Sequence, residues 1–162
     1  MKEKLYTIPI QDAFSKNCEC PVCEMYRKLE ENAINYTIGP GASYMEEDIR
    51  EQSDKEGFCQ KHLQKLYAYN NKLGLAMMLK THMDKTIKEL EKVSGAALPQ
   101  PNSMFKKKEV QAHPVTDYIA GEQETCFVCG YINQTFQSYM MTIFYLYERE
   151  EDFRQQVVVF GE

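Results

Sequence analysis

No stretch of this 162-residue chain approaches the uninterrupted apolar length that spans a bilayer. The amino terminus reaches Pro9 before any apolar run develops, so the hydrophobic region of a secretory signal is missing as well. Positive charge is in short supply: the formal net charge is -5 and the sequence pI is near 5.3, the wrong sign of field for nucleic acid or an anionic membrane surface. Lys106-Lys107-Lys108 runs the other way, and three lysines after a loop read as a solvated segment. Catalytic signatures are missing too, with no His-Glu-x-x-His helix, glycine-rich phosphate loop, nucleophile elbow or pair of catalytic carboxylates. Glu30-Glu31, Glu46-Glu47-Asp48 and Glu150-Glu151-Asp152 read as solvated helix faces. The expectation is a cytoplasmic protein that is not an enzyme and has no nucleic acid, membrane or identified small-molecule substrate among its partners. In a reducing cytosol six cysteines make a poor disulfide framework and a better set of metal ligands or redox thiols.

What is present is globular material, 43% hydrophobic and 27% charged, able to bury a core as one domain or two small ones. Three segments recur in the same order. Pro9-Ile10-Gln11-Asp12-Ala13-Phe14 is matched by Pro114-Val115-Thr116-Asp117-Tyr118-Ile119, 105 residues later. Cys20-Pro21-Val22-Cys23 is matched by Cys126-Phe127-Val128-Cys129, 106 residues later, and Glu47-Asp48-Ile49-Arg50 by Glu151-Asp152-Phe153-Arg154, 104 residues later. Such anchors point to a duplicated unit. A second copy of Cys59-x-x-His62 would fall just past residue 162, so the second repeat is expected to be incomplete. The expected organisation is a first zinc-binding helical unit over 1–94, a linker over 95–108 and a second, incomplete unit over 109–162 packing on the first.

The chain reads as all-α. Val22, Met25, Leu29, Ala33 and Tyr36 draw one apolar stripe, and Gly39-Pro40-Gly41 stops that helix. Ser43-Tyr44-Met45-Glu46 has the form of a capping box that opens the next. One long helix is expected from about 59 to 93, with Leu66, Leu73, Met77, Met83, Ile87 and Leu90 close to a three-four repeat. After Cys129, residues Ile132, Phe136, Tyr139, Met140, Ile143, Phe144 and Leu146 put apolar side chains on more than one face of another helix, which implies burial or a partner. Tyr6 to Ile10 reads as a short extended arm, and the apolar β-branched run Val157-Val158-Val159-Phe160 allows a short terminal strand.

Zinc takes four soft or borderline ligands in a tetrahedron, and residues two apart can grip one ion from a turn while a distant pair closes the shell. Cys20-x-x-Cys23 and Cys59-x-x-His62 are such pairs, and both precede helices, where unpaired amides favour thiolates. The expected site is therefore one structural zinc held by Cys20, Cys23, Cys59 and His62, with Cys18 a spare thiol. Cys126 and Cys129 would make a partial second site needing ligands from His113, Cys18 or another subunit. His113, before Pro114, and His82, within a helix, read as ordinary histidines. Three cysteinates and a histidine leave no coordination position for water or substrate, which disfavours hydrolytic zinc chemistry. A thioredoxin-like reading of Cys-x-x-Cys lacks its βαβ context.

Thr7-Ile8-Pro9-Ile10, Cys20-Pro21-Val22-Cys23 and Gly57-Phe58-Cys59-Gln60-Lys61-His62-Leu63 together resemble an uncharacterised bacterial family known only as a domain of unknown function. The resemblance covers nearly the whole chain and implies that the pairing of Cys-Pro-x-Cys with Gly-Phe-Cys-x-x-His occurs twice, which would place Cys126 and Cys129 in a second site. It brings no activity with it. The expected function is that of a zinc-stabilised helical bundle that binds another protein or self-associates. The alternative is a thiol and zinc redox switch, in which oxidised ligands release the ion.

Overall fold

The computed structural model describes residues 6–16, 18–41, 43–96 and 113–159. Among them the chain forms helices joined by short turns, with no strand. The order is α1 Thr7–Phe14, α2 Pro21–Ile38, a single 3-10 turn at Ser43–Met45, α3 Glu47–Glu56, α4 Gln60–Ala68, α5 Lys72–Ala96, α6 Pro114–Glu124, α7 Phe127–Arg149 and α8 Glu151–Val159. The expected all-α class holds. No helix of the described residues is long and apolar enough to cross a membrane. The Lys106-Lys107-Lys108 run and all but the first two residues of the expected linker lie outside the described residues.

The chain divides into two compact units that interleave in sequence. One holds the chain up to Asn35 together with the chain from Val128 onward, and the other holds Tyr36–Phe127. The expected units, 1–94 and 109–162, cut the chain at other places. In the first unit α2 and α7 bury Met25, Leu29, Ala33, Ile132, Ile143 and Leu146, and α1 adds Ile10, Ala13 and Phe14. Aromatic edges join its segments: Tyr6 meets Tyr139 at 5.6 Å between centroids, Phe14 meets Phe153 at 5.0 Å and Tyr26 meets Phe136 at 5.3 Å. Such pairs add to area burial by about 0.5–1.5 kcal/mol each. The predicted stripe of α2 is right at Met25, Leu29 and Ala33, while Tyr36 at its end is exposed.

In the second unit α3 packs on α5. The Thr81 hydroxyl donates to Asp54 Oδ1 at 2.6 Å, and His82 Nδ1–H donates to the Asp54 carbonyl at 2.9 Å, which fixes the end of α3 against the middle of α5. Ile38, Ile49, Leu66, Leu75 and Met78 form the apolar interior.

Four local expectations are corrected. The single helix over about 59–93 is two, because Asn71 interrupts it: its Oδ1 accepts from the Gly74 amide at 2.9 Å as a helix cap, and its Nδ2 donates to the Ile38 carbonyl at 2.9 Å. The capping box is not formed; Ser43–Met45 makes a 3-10 turn and Glu46 caps α3 with backbone only. Residues Thr7–Ile10 are helical, not an extended arm, since Pro9 stands in the first turn, where no amide is required of it. Val157–Val159 continues α8 and is no strand, because Phe153 buries against Phe14 and draws the segment into helix packing.

Candidate metal centre

Three cysteine-containing turns open helices in the same way. Cys20 directly precedes α2, Cys59 is the N-cap of α4 and Cys126 directly precedes α7. The partner residue, Cys23, His62 or Cys129, sits three positions on, in the first helical turn. N-cap and third-position side chains meet over the helix end, the geometry that a capping box also uses. The end of the helix then presents amides and the positive dipole end to the sulfurs.

Two of these turns converge. Ligand atoms of Cys59, His62, Cys126 and Cys129 all lie within 4.8 Å of one another, and among the described residues this is the group able to hold a metal ion. His62 Nδ1 is 3.3 Å from Cys59 Sγ and 3.4 Å from Cys126 Sγ. A tetrahedral ion with metal–sulfur bonds of about 2.3 Å and metal–nitrogen bonds of about 2.0 Å places its ligands roughly 3.5–3.8 Å apart, so the set is already near coordinating spacing. His62 is 2% exposed and Cys126 7%, while Cys59 and Cys129 are half-buried.

The pairing of turns differs from the expected one. Cys59 and His62 are met by Cys126 and Cys129, while Cys20 and Cys23, which the sequence reading puts in the same site, form no part of the cluster. Backbone chemistry gives the reason. The amide of Phe127 donates to the carbonyl of Gly57 at 3.0 Å, tying the start of α7 to the loop that carries Cys59. The rings of Phe58 and Phe127 pack edge to face at 6.4 Å beside that bond. In the turn at Cys20 the matching position is Pro21, which has no N–H to donate.

Gly57 and His82 position the loop; the sequence reading takes His82 as an ordinary histidine and gives Gly57 a place only in the motif that carries the family resemblance. Gly57 has φ 60 and ψ -155, a conformation open essentially to glycine alone. A β-carbon there would stand 2.8 Å from His82 Cε1. His82 is thus the wall behind the loop, held by its bond to Asp54. The glycine directly before the Phe58-Cys59 pair was the available signal; nothing in the sequence around Thr81-His82-Met83 marks the histidine.

The remaining candidates have other places. His113 caps α6, its Nδ1 accepting from the Val115 amide at 3.3 Å. Cys18 makes a long S–H contact of 3.9 Å to the Ala13 carbonyl. Cys20 accepts from the Cys23 amide at 3.3 Å, and donation from the Cys23 thiol and amide holds its pKa below the usual thiol value.

The sequence profile of a family of unknown function (DUF6062) matches residues 1–159. No curated protein and no solved structure matches the chain.

Proposed function

We propose, for a chain that belongs to this family of unknown function, that it is a non-enzymatic helical protein which zinc holds in shape and which works by binding another protein or by self-association. The donor set carries the reading: three cysteines and one histidine at near-tetrahedral spacing suit zinc and fill its shell. A closed shell leaves no site for water or substrate, so the ion's contribution is to folding. The ligands come from two segments with 63 residues between His62 and Cys126, and a shared ion would fix how α4 and α7 begin. Thiolate ligands suit a reducing compartment, and we place the protein in the cytoplasm on that ground.

Exposed apolar side chains supply the interaction half of the reading. On α7 Met141 is 73% exposed and Phe144 61%, while on α5 Met83 and Ile87 stand exposed one turn apart. Elemental analysis of the purified chain tests the metal, with at least one zinc per chain expected and none overturning it. Size-exclusion chromatography with light scattering, together with a pull-down, tests the interaction; a monomer that retains no partner counts against it.

A redox switch is the second reading, favoured by the half-burial of Cys59 and Cys129, which leaves two ligand sulfurs within reach of an oxidant. Mild peroxide would then eject zinc reversibly, whereas an inert structural site would keep it.

A further inference from the structure

We propose that Cys20 and Cys23 are half of a second zinc site, completed in trans by the same two cysteines of a second copy of this chain. The inference rests on the zinc and self-association reading above and names the device by which copies would join.

The turn at Cys20 is built as the ligand-bearing turn at Cys126 is built, with one cysteine directly before a helix and the other in its first turn. The Cys23 amide donates to Cys20 Sγ at 3.3 Å and the Cys23 thiol donates to the same sulfur, so the two sulfurs lie together. What differs is the cover. Cys126 is buried among three further ligands, whereas Cys23 is exposed and Cys20 half-buried, at a shallow recess shared with Cys18, Glu19, Glu24 and Arg27.

Among the described residues, no third ligand atom stands at coordinating spacing from Cys20 and Cys23 in that recess. Cys18 points its thiol at the Ala13 carbonyl, and the Glu24 carboxylate is held by Arg27 at 2.8 Å and Lys16 at 3.2 Å. The Cys-x-x-His turn at Cys59 is taken by Cys126 and Cys129. Two thiolates fixed by a turn are a chelating pair, and zinc needs two such pairs. A second copy presents the identical pair from an identical, partly exposed helix start, so a two-fold axis through the ion closes a four-cysteine shell. Each dimer would take up one zinc ion, and its four cysteine thiols would give up their protons to solvent.

The test uses the full chain under reducing conditions, loaded with zinc and then freed of excess by gel filtration. Light scattering should show a mass doubling that depends on zinc, with about three zinc ions per two chains. The Cys20→Ser/Cys23→Ser variant should hold about one zinc per chain and run at the single-chain mass. With cobalt in place of zinc, the loss should remove the four-thiolate part of the charge-transfer absorption and leave the three-thiolate part. A zinc-loaded wild type that stays monomeric overturns the proposal, as does a second zinc bound by a monomer or a dimer that survives in the double variant. A double variant holding no zinc at all would instead overturn the reading of the Cys59, His62, Cys126 and Cys129 site, so the two failures are distinct.

Discussion

Cys20-Pro21-Val22-Cys23 and Cys126-Phe127-Val128-Cys129 are the same turn at the head of a long helix, yet one is partly open to solvent and the other is closed by Cys59 and His62. The cysteines do not account for the difference, since spacing and helix position are shared. The residue after the first cysteine does. Phe127 brings an amide that reaches the Gly57 carbonyl and a ring that packs on Phe58, and Pro21 brings neither. A Cys-x-x-Cys turn makes half a site, and its neighbours in the turn select the other half.

The comparison breaks most sharply at the ligands themselves. On the proposed zinc reading a structural ion contributes on the order of 10 kcal/mol to folding, so Cys126→Ser/Cys129→Ser should lose the ion and most of the cooperative unfolding transition. Cys20→Ser/Cys23→Ser removes exposed or half-exposed thiols and should leave the chain's own stability within about 1 kcal/mol of wild type when measured below the concentration at which copies associate. Circular dichroism melts with and without chelator check both; equal losses in the two variants would erase the distinction between closed and open turns.

Phe127→Pro turns the closed turn into a copy of the open one. Proline is at home at the first position of a helix, so α7 keeps its start, but the bond to Gly57 and the ring contact are lost. Truncating a buried phenylalanine costs about 3–5 kcal/mol and a lost backbone hydrogen bond about 1 kcal/mol more. Phe127→Ala keeps the amide, so it should be milder than the proline variant by about that last amount. Chemical denaturation of both variants, with zinc affinity from competition with a chromophoric chelator, separates ring from amide.

Gly57→Ala acts on the facing loop. A side chain at φ 60 and ψ -155 is strained, at about 1–3 kcal/mol, and its β-carbon would push on the His82 ring. Weaker zinc binding is expected, with partial rescue by His82→Ala, which opens the space but leaves the backbone strain. A double-mutant cycle in zinc affinity reads the coupling; strict additivity would mean that His82 does not brace the loop.

Much of this fold was legible because helix signals are local. The stripe Met25, Leu29, Ala33 and the stop at Gly39-Pro40-Gly41 locate α2, and the knuckle-before-helix pattern locates the starts of α4 and α7. The break at Tyr69–Asn71 escaped because Asn71 caps α5 while its amide reaches the distant Ile38 carbonyl, a contact that no window of sequence contains. The partner of Cys59 and His62 escaped for a related reason. Two candidate turns offered the same ligands, and the choice depended on a backbone donor present at Phe127 and absent at Pro21. Proline's missing N–H was visible in the sequence from the start; the carbonyl waiting for a donor at Gly57 was not.

The smallest effect is expected beside the open turn, where Glu24 accepts from Arg27 and from Lys16. The Arg27 bonds first, and Lys16 next, lower its carboxyl from 4.5 to about 2. A carboxyl depressed by folding stabilises the native chain above its unfolded value and loses that contribution as pH falls through the folded one. The contribution is thus whole above about pH 4.5 and gone below about pH 2. Glu24→Gln removes it, so the stability difference between wild type and variant should shrink across that window and vanish at its acid end. Any metal held at the Cys59, His62, Cys126 and Cys129 cluster would be lost alike from both proteins on acidification, so the difference at each pH isolates Glu24. The pair is exposed and screened, so the effect should be small and weaken with added salt. A difference that stayed constant from pH 5 to pH 2, or ignored salt, would mean that Glu24 acts by packing and not by charge.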